Sequence, residues 1–130
     1  MGYLLDTSVA IDLRDSRGQV KARIATLSSQ PQISAVTRVE LEGGVYAIAE
    51  LVSKRRQAVD AILQHIEVID FNSEMALIYG RIVSQSTFNR RKIIDRMIAA
   101  TALALDLTLI TANGGDFADI DGLKLEIWNP

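Results

Sequence analysis

The chain has 130 residues, 48% of them hydrophobic, and its 14 basic against 16 acidic residues give a net charge of −2. This length and composition predict one folded domain over residues 1–130 rather than a disordered chain. The lack of cysteine excludes disulfides, cysteine-ligated metals and thiol catalysis, and the single histidine excludes a histidine-rich metal site. No apolar run reaches the roughly 18 residues of a membrane span, and no secretory leader is recognisable, so we expect a soluble cytoplasmic protein with no membrane partner.

Short strand-like runs alternate with longer helical stretches along the chain. In chain order, the pattern predicts a strand at residues 3–5, helices at 8–13 and 20–27, a strand at 32–36, helical structure at 37–48 and 57–65, a strand at 66–71, helices at 73–84 and 95–107, and strands at 107–111 and 123–128. This alternation indicates an α/β fold with a mainly parallel central sheet of about four to five strands. Ligands of such sheets bind outside the carboxyl ends of the strands.

Acidic residues occur where these predicted strands end. Asp6 follows the first strand directly, Glu40 lies one turn into the helix after the second, and Asp116 lies in the loop after residues 107–111. Asp95 opens an alanine-rich helix. The four carboxylates are therefore expected to converge, and their repulsion requires a cation. Clusters of oxygen ligands suit Mg²⁺ or Mn²⁺.

Each of these acids also has a simpler structural interpretation. Asp6 and Asp95 could cap the helices that follow them, Thr37 and Glu40 fit a T-x-x-E capping box, and Asp116 could be solvated in its loop. Taken one at a time, these roles are the more common ones. Four acids in comparable positions favour a metal site instead. Phosphodiester hydrolysis by activated water fits that site, because it needs neither a cysteine nor a histidine nucleophile.

Five segments carry a family resemblance. They are residues 3–8 (YLLDTS), the run from Ser34 to Leu41, residues 95–102 (DRMIAATA), residues 109–113 (LITAN) with Asp116 and Phe117, and the closing segment from Gly122 to Pro130. In this order they resemble the motifs of the PIN-domain ribonucleases and, among these, the VapC-type toxins of bacterial toxin–antitoxin pairs. The resemblance implies a PIN-like three-layer α/β/α fold and a Mg²⁺-dependent endoribonuclease that acts as a toxin.

The resemblance also implies a role for each site residue. Asp6 and Asp95 become direct metal ligands, Glu40 completes the site directly or through water, and Asp116 is the fourth acid. Asn113 competes with Asp116 for that fourth position. The side chains expected to orient the carboxylates and waters are those of Thr7, Ser8, Thr111 and Asn113.

The implied partners are an RNA substrate and an antitoxin, with a homodimer as the expected assembly. In the family, the antitoxin's C-terminal segment occupies a groove in the helical region that begins near Val45 and ends near Leu63; the alternative for the apolar residues of this region is packing in the core. The candidates for contact with RNA phosphates are Arg38, Arg90, Arg91 and Lys92. The net charge does not oppose an RNA partner, because setting the four site acids aside leaves 14 basic against 12 acidic residues.

Other phosphate-handling folds are excluded by missing motifs. A haloacid-dehalogenase-like enzyme needs a second aspartate two residues after Asp6, where Ser8 stands. The paired acids and late lysine of receiver domains are absent, as are the glycine-rich motifs of dinucleotide-binding and P-loop proteins. One alternative stays open, a PIN-like module that binds RNA or protein without cleaving it.

Overall fold

The computed structural model describes residues 2–86 and 88–129, so that Pro130, which ends the predicted closing segment, lies outside the described residues. The strands in this part of the chain are β1 (Tyr3–Leu5), β2 (Gln32–Ser34), β3 (Val68–Ile69), β4 (Thr108–Thr111) and β5 (Leu125–Ile127). They form one sheet in the order β3-β2-β1-β4-β5, and every neighbouring pair is parallel. The predicted parallel sheet is confirmed.

Helices connect the strands. They are α1 (Thr7–Arg14), α2 (Val20–Ala25), α3 (Ala35–Val45), α4 (Val52–His65), α5 (Ser73–Ser84) and α6 (Ile93–Ala104), with short 3₁₀ turns at Ala49–Leu51, Arg90–Lys92 and Gly114–Asp116. Within residues 2–86 and 88–129, no helix is long and apolar enough to cross a membrane.

Several helices begin earlier than predicted, and two of these differences concern site residues. The second strand ends at Ser34 rather than at residue 36, because the Ser34 side chain accepts a hydrogen bond from the Val36 N–H and caps α3. The T-x-x-E segment therefore lies inside α3, and its threonine is not an N-cap. Similarly, α6 begins at Ile93, which makes Asp95 the third residue of the helix and not its cap.

The core lies in two layers, one on each face of the sheet. Successive strand residues point to opposite faces, so Leu5 and Ile110 pack on one side while Leu4 and Leu109 pack on the other. The first side is covered by α1, α3 and α4, and the second by α5 and α6. Burying each such side chain contributes about 1.5–3 kcal/mol. The three-layer α/β/α arrangement is thereby confirmed.

The order of the strands determines where a site can form. The chain runs outward from β1 through β2 to β3 and then returns to the other side of β1 to form β4. In the β1–β4 register Leu5 pairs with Ile110, and the Asp6 N–H donates to the Ile110 carbonyl at 2.8 Å. The residues that follow these two strands meet at the topological switch point, where open α/β sheets bind ligands.

Candidate active site

Asp6 is the buried centre of this switch point, with 3% of its surface exposed. Its Oδ2 accepts hydrogen bonds from Thr111 Oγ1 at 2.7 Å and from Ser8 Oγ at 2.8 Å. Although Asp6 stands at the N-cap position of α1, its side chain makes no capping hydrogen bond. The capping interpretation of this residue is therefore wrong, because its carboxylate turns to the neighbouring strand.

The second carboxylate oxygen of Asp6 differs from the first. Oδ1 is buried and has no hydrogen-bond partner among the described residues. A buried charged acceptor without a partner is costly, by about 1–3 kcal/mol or more. A bound cation offsets that cost, so this oxygen fits the ligand set of a divalent ion.

The two hydroxyls that hold Asp6 are themselves held by the backbone after β4. Ser8 Oγ accepts from the Ala112 N–H at 3.1 Å, and Thr111 Oγ1 accepts from the Asn113 N–H at 3.0 Å. Because each hydroxyl oxygen accepts a backbone hydrogen bond, its own proton is donated to the Asp6 carboxylate. Asn113 takes part through its backbone, while its side chain lies in an exposed position.

Glu40 reaches the site from α3 through a different pair of hydroxyls. Thr7 Oγ1 donates to Glu40 Oε1 at 2.6 Å and lies 3.0 Å from Thr37 Oγ1. A threonine hydroxyl has one proton, so Thr37 is the donor in the second contact. The sequence interpretation missed Thr37, and the available signal was the T-x-x-E spacing, which places Thr37 and Glu40 on one face of the helix.

The pKa of Asp95 indicates that the four acids lie near one another. It is half-buried, and burial together with the negative charges of Asp6, Asp116 and Glu40 raises its pKa to about 6 from the usual 3.8. The ammonium of Lys92 offsets part of this rise. Asp116 is exposed in the turn after β4, whereas Asp95 lies in α6, a helix with many buried residues.

The four acids interact electrostatically, but their side chains do not surround a single point. Within the described ranges, no group of three aspartate, glutamate or histidine side chains is placed to hold one metal ion. This spacing still suits Mg²⁺, which keeps several waters and binds proteins through one or two carboxylates.

The predicted RNA-contacting residues fall into two groups. Arg38 points along α3 to Glu42, with Nε 3.5 Å from Oε2. Arg90–Lys92 form a 3₁₀ turn directly before α6, where Arg90 and Arg91 are exposed and Lys92 is half-buried. Only this second group is continuous with Asp95.

A comparison with known proteins agrees with this geometry. Residues 3–123 match the PIN domain family. The chain belongs to the PIN-domain family. A relative named ribonuclease VapC1 from Rickettsia felis is 30% identical, with 96% of this chain and 95% of that protein covered. Another, the tRNA(fMet)-specific endonuclease VapC of Shigella flexneri, is 25% identical over 98% of each chain.

Solved structures give the same relationship. The chain resembles VapBC2 from Rickettsia felis, crystallised bound to a DNA fragment from its promoter, with a TM-score of 0.87 and 26% identity over 99% of this chain and 100% of that chain. Together with the named relatives, this places the PIN domain described here among the VapC-type proteins.

Proposed function

We propose that this protein is an endoribonuclease, the toxin of a toxin–antitoxin pair, which hydrolyses RNA phosphodiester bonds with Mg²⁺ or Mn²⁺ held by the carboxylate cluster of Asp6, Glu40, Asp95 and Asp116, in part through water. The observation that carries this proposal is the buried carboxylate of Asp6 at the switch point, whose Oδ2 is held by two hydroxyls while Oδ1 has no partner among the described residues. The raised pKa of Asp95, caused by burial and by the charges of the other three acids, supports it, because it indicates that these side chains share one electrostatic environment. The ribonuclease names of the relatives support the same chemistry.

The chain's own residues have separable tasks in this proposal. A divalent ion bound there supplies neutralising charge and activates water for in-line displacement at phosphorus. Ser8 and Thr111 hold Oδ2 of Asp6, so Oδ1, which has no partner among the described residues, would be the oxygen that binds the ion. Thr7 orients Glu40. Lys92, beside Asp95, attracts the phosphate backbone of the substrate to the otherwise negative site.

The decisive test is RNA cleavage with and without divalent ions. The purified protein should cleave single-stranded RNA in Mg²⁺ or Mn²⁺ and stop in excess EDTA. Asp6→Asn and Asp95→Asn should both be inactive while keeping the wild-type circular dichroism spectrum. Asp70→Asn is the matched control, because Asp70 is exposed and also follows a strand end, that of β3, but is not among the acids that raise the pKa of Asp95.

Two outcomes would redirect the proposal. Cleavage that persists in EDTA would rule out the metal mechanism. RNA binding without cleavage under every ion tested would favour the non-catalytic PIN-like module instead. A direct measurement of Mn²⁺ binding by electron paramagnetic resonance separates loss of the ion from loss of the chemistry.

The antitoxin partner requires a docking surface, which the sequence analysis expects in the helical region of residues 45–63. In the helical region of residues 45–63, Val45 and Val59 are part of the core rather than an exposed groove. Tyr46 and Ile48 stay exposed. A cavity of about 570 Å³ also lies between α1, α2 and α4. Its lining includes the apolar Ile24, Ala58 and Ala61 and the basic Arg14 and Lys21.

We place the antitoxin segment in this cavity, which shares only the second half of α4 with the predicted region. Ala61→Trp should fill it and weaken the complex formed on co-expression. Gln64→Trp, which lies on the same helix and does not line the cavity, is the matched control. An unchanged complex with Ala61→Trp would move the docking surface elsewhere. Production of the protein alone should arrest growth, and the antitoxin should relieve the arrest.

A further inference from the structure

A second cavity lies beside the candidate active site, at the 3₁₀ turn Arg90–Lys92 that precedes α6. It encloses about 460 Å³, which is within the range of pockets that hold small ligands, about 300–1,000 Å³. Its wall is formed chiefly by Phe88, Asn89, Arg90, Lys92, Arg96 and Asp119. None of the roles assigned above uses Phe88, Arg96 or Asp119.

Lys92 joins this cavity to the acidic site. It lines the cavity, and its charge acts on Asp95, three residues later in the chain. Arg96 follows Lys92 by four residues, which is just over one helical turn, or about 6 Å along the axis. A nucleic acid strand with one phosphate at the carboxylates would therefore have its neighbouring nucleotide next to the cavity.

The chemistry of the wall suits a nucleotide. The lining holds three cations, Arg90, Lys92 and the buried Arg96, and a single carboxylate, that of Asp119. Phe88 is 59% exposed, whereas the aromatic rings of Phe117 and Trp128 are buried in the core. A basic surface together with an exposed aromatic ring is the combination that binds unpaired bases, by attraction to the backbone and stacking on the ring.

We propose that this cavity binds the nucleotide that flanks the scissile phosphate of a single-stranded RNA. Its base stacks on Phe88, its phosphate lies against Arg90 and Lys92, and Asp119 accepts hydrogen bonds from the edge of the base. An ionised carboxylate only accepts, so it pairs with the amino groups of adenine, cytosine or guanine, and less well with uracil, which has a single ring N–H. This inference rests on the proposed ribonuclease function and adds a base preference to it.

Binding can be measured without cleavage. In EDTA, Phe88→Trp places an indole at the cavity, and stacking of a base should quench its fluorescence when a short single-stranded RNA is added. Wild type corrects for the background of Trp128. Leu77→Trp is the matched control, since Leu77 is 60% exposed on α5 and does not line the cavity. Equal quenching in the two variants, or none in Phe88→Trp while anisotropy reports bound RNA, would overturn the proposal.

Kinetics give the second readout. Phe88→Ala should raise KM about tenfold, the scale of one lost base stack, with kcat nearly unchanged. Phe88→Tyr should restore KM, and Lys54→Ala, an exposed cation outside the cavity, should change it little. An unchanged KM in Phe88→Ala would contradict the cavity's role.

The base preference is tested by moving a uridine through the substrate. Uridine at one nucleotide flanking the cut should raise KM, and Asp119→Asn should reduce that discrimination. A preference that Asp119→Asn leaves intact would remove Asp119 from base recognition and overturn that part of the proposal. If wild type cleaves no RNA in Mg²⁺ but Phe88→Trp is still quenched, the ribonuclease function fails and the nucleotide cavity stands.

Discussion

The hydroxyl of Thr111 donates a 2.7 Å hydrogen bond to Asp6 across 105 residues of sequence. This contact joins the ends of the two central strands, and it directs one carboxylate oxygen to the protein while leaving the other for a cation. The threonine is fully buried, so no water replaces the hydrogen bond when the hydroxyl is lost. It therefore offers a sensitive test of how the site is organised.

Thr111→Val keeps the shape of the side chain and removes the donor. We expect the Mn²⁺ dissociation constant to rise about ten- to a hundredfold, because residues that orient metal ligands have effects of that size. The free energy of unfolding should fall by about 1–3 kcal/mol, since a buried charged acceptor loses a partner. Calorimetric titration and urea denaturation measure the two effects. Thr111→Ser should retain both properties, and Mn²⁺ binding at wild-type strength in Thr111→Val would contradict the role of the hydroxyl.

Thr7→Val tests how Glu40 is held. The variant removes the 2.6 Å donor to Oε1, and kcat/KM for RNA should drop about tenfold. Thr101→Val is the control, because Thr101 is also a buried threonine, and its hydroxyl donates to the Met97 carbonyl inside α6. The control should lose about 1 kcal/mol of stability while keeping kcat/KM. Equal losses of kcat/KM in both variants would point to a general loss of stability instead.

Asp95→Asn should stabilise the metal-free protein at neutral pH. The folded-state pKa of Asp95, about 6, exceeds the usual value of 3.8, so the folded protein binds more protons between these values and its stability falls as the pH rises through that window. Asparagine never acquires the charge. The gain in stability of Asp95→Asn over wild type should therefore be full above about pH 6, decline below it, and vanish below about pH 4.

Thermal melts in EDTA across this pH range measure the effect, and Mg²⁺ should then stabilise wild type more than Asp95→Asn. An advantage of Asp95→Asn that is the same at every pH would mean that charge repulsion is not its cause.

Asp116→Asn and Asn113→Ala distinguish the two candidates for the fourth position. Asp116 is among the charges that raise the pKa of Asp95, so Asp116→Asn should lower that pKa and reduce cleavage. Asn113 acts through its backbone N–H, which alanine retains, so Asn113→Ala should leave both properties close to wild type. Carboxyl ¹³C titration of Asp95 in EDTA measures the pKa. The reverse result would assign the fourth position to Asn113.

Much of the fold follows from local sequence signals. Strand-like runs separated by amphipathic stretches are determined by the spacing of apolar residues, and each of the five predicted strands overlaps an observed one. The predicted helix of residues 73–84 coincides with α5, which Asn72 caps through the Met75 N–H. Helix starts were harder to predict where two residues could serve as the N-cap. Ser34 and Thr37 were both candidates for α3, and the earlier residue, Ser34, is the cap.

The sequence by itself therefore determined the alternation of elements and which acids follow strand ends, because both depend on residues close together in the chain. Only the tertiary structure decided what those acids contact. The order β3-β2-β1-β4-β5 brings Thr111 to Asp6, and the packing of α3 brings Thr37 and Glu40 to Thr7. It also decided that Val45 is core while Phe88 is exposed at a basic cavity. These outcomes depend on long-range pairing and burial, which no local pattern encodes.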